Sequence, residues 1–289
     1  MKTLTIGTEL EFTGLTRKTA AQTVAKYFGT TAKYTGEGYA AWTIKDNGGR
    51  KWKILRDTSI RAEDDSKQCE LVTPILNWGD IETLQEIVRE LRKAGGKVNW
   101  SCGQHVHIGA AGMTAKAIRN LVNTVASREE LFYKALNVSE DRKRRYCKPV
   151  EERFLTELNA KKPETLEELK KIWYGDENDH SEHYDYSRYR ALNLHALFTK
   201  GTIEFRWFEG TLHAGEVKAA IQLSAALVAF AKRAKTALYR PINTDNAKFA
   251  MRTFLTRPQG LNLNGEEFST LRHHLTKHLE GNGAWRFAC

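Results

Sequence analysis

Apolar and polar residues alternate with a period of two over residues 3–12, where Leu4, Ile6, Leu10 and Phe12 oppose Thr5, Glu9 and Glu11. That period predicts a strand, and the acidic residues give it a charged face. A helix is expected over 16–28. Segments 39–45 and 51–57 flank Asp46-Asn47-Gly48-Gly49 and read as a hairpin, because Asn-Gly and Gly-Gly accept the positive φ of tight turns. Cys69–Pro74 is a short strand stopped by proline, and Ile81, Leu84, Ile87, Val88 and Leu91 fall at helical spacing over 80–94, before Gly95 and Gly96. Residues 101–109, SCGQHVHIG, alternate as a strand again. Beyond them the pattern predicts a helix over 114–136 and short helices in the charged stretch 139–187. Strands follow at 189–195 and 201–208, then helices at 215–238, 246–256 and 265–280.

Strands joined by hairpins, with helices inserted between strand pairs, predict an α+β fold with a largely antiparallel sheet. A chain of 289 residues, 41% hydrophobic, can bury a sizeable core as a single domain spanning 1–289. Residues 139–187 read as a charged insertion, and 212–289 as a helical part of the same domain. No run of about 18 apolar residues is evident, and the N-terminus lacks a basic segment leading into an apolar one, so neither membrane nor export is expected. Cys69, Cys102, Cys147 and Cys289 are scattered with no C-x-x-C pair, which points to a reducing cytoplasm. The net charge of +10 raises the local concentration of anions and admits nucleic acid, nucleotides or acidic substrates.

Acidic side chains recur where strands are predicted. Glu9 and Glu11 share one face; Asp57 ends the second hairpin arm; Glu70 lies in the next strand and Glu204 in the last; His105 and His107 again share a face. A carboxylate on a buried sheet face is costly unless it is paired or coordinates a cation. Taken together, several carboxylates and an imidazole suit a hard divalent ion, magnesium or manganese, often bridging phosphates. The His-x-His pair alone also fits zinc or iron, but His180, His183, His273, His274 and His278 supply no obvious further ligands. No G-x-x-x-x-G-K-[ST] loop occurs, since Gly95-Gly96-Lys97 is followed by Val98, so phosphates would be held through metal.

The motifs appear in a telling order: Gly7-x-Glu9-x-Glu11, Asp57-x-Ser59, Glu70 to Pro74, Gly103-x-His105-x-His107-x-Gly109, Arg190-x-x-Asn193, then Thr202-Ile203-Glu204-x-Arg206 with Gly210-Thr211. Over residues 5–212 this order resembles the carboxylate-amine ligase superfamily of glutamate-cysteine ligase and glutamine synthetase, and within it the small amidoligase branch. The resemblance implies a curved antiparallel sheet with helices on its outer face, and an enzyme using ATP and two or three magnesium ions. Its chemistry would be phosphorylation of a carboxylate to an acyl phosphate, which an amine attacks to give an amide. It further implies that Glu9, Glu11, Asp57, Glu70 and Glu204 hold metal with His105 or His107. Arg206 would reach a phosphate oxygen, and Arg190 and Asn193 would lie near the substrate. Substrates would be small-molecule or peptide carboxylates and amines.

The run Arg142-Lys143-Arg144-Arg145 could guide a larger anion, such as a nucleic acid or an acidic peptide, and Asp176–Asp179 with Glu182 and Asp185 forms an acidic loop close after it. The competing reading is a divalent-metal-dependent protein that processes or binds nucleic acid, with the same carboxylates holding metal for phosphodiester chemistry.

Overall fold

The alternation at the N-terminus becomes a strand, β1 (Ile6–Phe12), whose Ile6, Leu10 and Phe12 are at most 1% exposed. The computed structural model describes residues 1–36, 38–175, 180–182 and 185–283. The fold is α+β, with eight antiparallel strands in an unclosed curved sheet and eleven α-helices among the described residues. Asp176–Asp179, His183 and Cys289 lie outside the described residues. Packing groups the chain into two compact units, residues 2–107 with 208–221, and residues 108–207 with 222–289 and residue 1.

In the first unit β1 is followed by α1 (Arg17–Phe28), β2 (Ala32–Gly36), β3 (Ala41–Lys45), β4 (Lys51–Leu55), β5 (Cys69–Val72), α2 (Ile81–Lys93) and β6 (Gly103–Gly109). The strand order is β2-β3-β4-β5-β1-β6. The helix α1 starts where Thr16 accepts from the Thr19 amide, and it stops at Gly29, whose φ of 68° is costly for other residues. Its Ala20, Ala21 and Val24 are buried, as are Ile44, Trp52, Ile54 and Leu71 on the sheet face it packs against. The expected hairpin is β3–β4. Arg50 pins its turn, reaching Asp46 Oδ2 at 2.8 Å and Asp80 at 2.7 and 3.0 Å.

The strand β2 was not foreseen. It is an edge strand with Lys33, Tyr34 and Thr35 exposed, so no apolar alternation marks it. Pairing sets one sheet face in register: Lys33 opposite Thr43, Thr43 opposite Lys53, Lys53 opposite Val72, and Val72 opposite Glu9. In the adjacent row Leu55 faces Glu70 and Glu70 faces Glu11.

The second unit contains α3 (Ala115–Ala126), α4 (Glu129–Ala135), α5 (Glu140–Arg145), α6 (Glu152–Lys161), α7 (Leu166–Tyr174), β7 (Leu192–Asn193), α8 (His195–Lys200) and β8 (Thr202–Glu209). After them come α9 (Ala214–Arg233), whose residues up to 221 belong to the first unit, α10 (Ala247–Thr256) and α11 (Ser269–His274). Three expectations are corrected. The helix predicted over 114–136 breaks at Arg128 (φ −125°, ψ 11°), beside Ser127 and Thr124, whose hydroxyls bond back to Asn123 O and Asn120 O. The strand predicted over 189–195 is only Leu192–Asn193, because Asn193 Oδ1 accepts from the His195 amide at 2.8 Å and starts α8. The last helix is shorter than predicted and follows a 3₁₀ turn over Glu266–Phe268. By length and composition α9 could cross a membrane, yet most of it is buried, as in a core helix.

Two close fits generate predictions. Gly210, in the first unit, donates its amide to Cys102 O at 2.9 Å, and a Cβ there would lie 2.5 Å from Cys102 Cβ. Gly210→Ala should therefore destabilise the protein by roughly 1–3 kcal/mol through overpacking, read as a lower urea midpoint at unchanged slope. In the second unit Glu129 is buried, and both its oxygens receive the Val150 amide, at 3.0 and 3.1 Å. Burial pushes its carboxyl up to about 8. A carboxyl raised in the fold contributes stability below its ordinary range and loses it as pH climbs toward about 8. Glu129→Gln keeps an acceptor for Val150 without that cost. It should be neutral at pH 4 and more stable than wild type by on the order of 2 kcal/mol at pH 8 in urea unfolding.

Candidate metal centre

The face of β1 turned away from the hydrophobic core carries Gly7, Glu9 and Glu11, and register places Glu70 directly across from Glu11. From β6, His105 Nδ1 sits 3.0 Å from Glu9 Oε2, and His107 Nε2 sits 3.5 Å from Glu9 Oε1. His105 Nε2 is 3.9 Å from Glu11 Oε1. Glu11 is 5% exposed, and its Oε2 accepts the Gly103 amide at 2.6 Å, which aims the other oxygen elsewhere. Asp57 follows β4 and is fixed by the Ser59 amide on Oδ1 at 2.7 Å, which accounts for the Asp-x-Ser spacing.

These residues converge on two overlapping donor sets. One atom each from Glu9, Glu70 and His105 lie within 4.8 Å of one another, and so do atoms from Glu11, Asp57 and Glu70. Magnesium bonds oxygen at about 2.1 Å, so opposed ligands stand about 4.2 Å apart, and these sets need only small side-chain shifts to close on an ion. The donors are carboxylates with imidazole, the chemistry of magnesium or manganese rather than of a thiolate-bound metal. Glu70 belongs to both sets. Burial would raise the Glu9 carboxyl, but hydrogen bonds and charge from His105 and His107 outweigh it and hold that group well below its ordinary range.

Glu204 and Arg206 lie on β8 in the other unit and are 3% and 4% exposed. Asn193 stands opposite Glu204 in register and donates to its Oε2 at 2.7 Å, while Arg206 Nη1 donates to Oε1 at 2.5 Å. The Arg206 guanidinium also lies over the Tyr189 ring, 5.9 Å from its centroid. These three sequence-predicted residues therefore form one cluster. Arg190 instead donates to Pro149 O and to Glu151 Oε2, at 3.1 and 2.8 Å. Sequence reasoning missed His195, whose ring meets the Tyr174 hydroxyl at 2.6 Å and whose amide orients Asn193. No spacing signal marked it, because it falls at the break between β7 and α8.

A sheet face of carboxylates and imidazoles on an antiparallel α+β fold has the donors to hold a divalent metal ion. Residues 2–228 match the family model described as "Putative amidoligase enzyme", and the chain belongs to that family, which is of ligase type. No curated protein matches the chain significantly.

The Glu9–histidine contacts predict a specific acid response. A carboxyl depressed in the fold contributes stability that is fully present above its ordinary value of 4.5 and is lost as pH falls through the folded value. In metal-free protein, wild type should lose stability below pH 4.5 more steeply than Glu9→Gln, with the two urea midpoints converging at the acid end.

Proposed function

We propose that this chain is an ATP- and magnesium-dependent carboxylate-amine ligase that forms an amide through an acyl phosphate. The observation that carries the reading is Glu70, common to the two donor sets, because one carboxylate between two ions is a frequent device for clamping a phosphoryl group in transfer. When bound, magnesium would neutralise the phosphate charge and orient the γ-phosphoryl group. Glu9, Glu11, Asp57 and Glu70 would hold it, with His105 or His107 adding nitrogen. His105 and His107 keep Glu9 ionised and oriented, and the amides of Gly103 and Ser59 orient Glu11 and Asp57.

In the reaction a carboxylate oxygen attacks the γ-phosphorus and ADP leaves. An amine nitrogen then attacks the acyl carbon, inorganic phosphate departs, and the nitrogen loses a proton. Glu204 and Arg206 take, on the family resemblance, roles in metal binding and in neutralising the transferred phosphate, and Asn193 orients Glu204. Arg190 is held for a substrate-side role.

The competing nucleic-acid reading needs an open basic surface on α5. Arg142 is 3% exposed and donates to Arg206 O, Lys143 pairs with Glu130, and Arg144 and Arg145 both pair with Asp141. Arg142 is thus turned inward and the other three cations share two carboxylates, so α5 presents a smaller basic surface than its sequence offers and the observations favour the ligase.

ATP with magnesium should raise the melting temperature by several degrees, and Glu70→Gln should abolish the rise. Neither ATP nor magnesium alone should match the pair. Phosphate release across a panel of acids and amines then finds the substrates. Failure of ATP with magnesium to stabilise, together with divalent-dependent cleavage of DNA or RNA, would sink the reading in favour of its competitor.

A further inference from the structure

The sheet face that bears the carboxylates does not end with them. Pairing carries it from Glu9 through Val72 to Lys53, then through Thr43 to Lys33, and puts Lys45 opposite Lys51 on the same face. With strands about 4.8 Å apart, Lys53 stands about 10 Å from the Glu9 position and Lys33 about 19 Å from it. Lys33, Lys45 and Lys51 are exposed and form no ion pair among the described residues; Lys53 is half-buried. Between them the face is polar, with Thr35 and Thr43 hydroxyls 3.3 Å apart. One side of the first unit is thus acidic at β1 and β5, bears imidazoles at β6, and is basic at β2, β3 and β4.

We infer that the lysine strip on β2–β4 is the docking surface for an acidic peptide, which presents one carboxylate to the metal centre while its neighbouring carboxylates lie on the lysines. The inference rests on the ligase reading, since it names the substrate class of that reaction. Three physical points carry it. The first is charge: the lysines make the β2–β4 end of the face cationic, and metal would cancel the negative charge of Glu9, Glu11, Asp57 and Glu70 beside it, so a partner carrying several negative charges is drawn to that end. The second is reach, because an extended chain rises about 3.3 Å per residue and covers the 10–19 Å track with about three to six residues. The third separates a peptide from a nucleic acid. Single-stranded nucleic acid gains much of its affinity by stacking bases on aromatic rings, whereas Tyr34 and Trp42, packed 5.4 Å apart, share the opposite sheet face with Ile44, Trp52 and Ile54. Among the described strand residues of β2–β4, the lysine face carries cations and hydroxyls but no ring.

Fluorescein-labelled hexaglutamate, followed by anisotropy at low salt without ATP, tests the inference, with an eight-residue oligothymidylate as comparator. Hexaglutamate should bind wild type, and Lys33→Ser/Lys51→Ser/Lys53→Ser should weaken it about tenfold or more. Lys51→Glu/Lys53→Glu should remove binding altogether, while both variants keep the melting-temperature rise given by ATP with magnesium, which shows that they are folded. Arg144→Ala/Arg145→Ala should bind hexaglutamate as wild type does. Equal binding of hexaglutamate by wild type and the triple lysine variant overturns the inference, as does tighter binding of oligothymidylate or loss confined to the α5 variant. Lysine-dependent hexaglutamate binding in a protein that ATP with magnesium never stabilises would leave the surface standing and remove the ligase reading instead.

Discussion

The register between β1 and β5 is the constraint on which the rest depends. It sets Glu11 opposite Glu70 and Glu9 opposite Val72 on one face, while Leu10 opposite Leu71 and Phe12 opposite Cys69 fill the core on the other. A slip of one residue would send every glutamate into the core and every apolar side chain to the polar face. The apolar residues therefore hold the carboxylates together, since like charges at this spacing would separate if the backbone allowed it. Thr8 strengthens the constraint from within the core face. It is 2% exposed, takes the Thr73 side chain as acceptor for its amide at 3.0 Å, and gives its hydroxyl to His105 O at 2.7 Å. One small polar residue thereby ties β1 to β5 on one side and to β6 on the other.

That tie explains why the imidazoles meet Glu9. With His105 O fixed to Thr8, the β6 backbone cannot shift along β1, and the side chains of His105 and His107 must project on the glutamate face. The carboxylate cluster is then fixed in two ways: imidazole contacts hold Glu9 ionised, and hydrogen bonds from backbone amides orient Glu11 and Asp57.

Much of this was legible in the sequence because it is written in alternation. Period two showed that Glu9 and Glu11, and His105 and His107, share faces, and Asn-Gly-Gly marked the β3–β4 turn. What stayed illegible has physical reasons. The edge strand β2 is polar and exposed on both sides, so it has no period to read, and with it the lysine strip was hidden, since that strip exists only through the pairing of three strands. The break at Arg128 and the shortening of β7 both come from side chains that satisfy backbone groups, Ser127 and Asn193, and such local bonds override the helix or strand pattern around them. The basic run of α5 reads as one patch in sequence but not in space: a six-residue helix turns its residues in different directions, and Arg142 is buried.

The two polar clusters differ in a way that bears on their chemistry. Glu9, Glu11, Asp57 and Glu70 bring four carboxylates to one face against two imidazoles, an excess of negative charge that only a cation or protons can relieve. Glu204 by contrast already has a guanidinium on one oxygen and an amide on the other. Burying Arg206 alone would be expensive, and the ion pair with Glu204 offsets that cost. A guanidinium has five donors, and one of them serves Glu204 Oε1. Pairing thus keeps Arg206 in place beside Tyr189. The first cluster has the chemistry to attract a cation, whereas the second already holds one of its own in the Arg206 guanidinium.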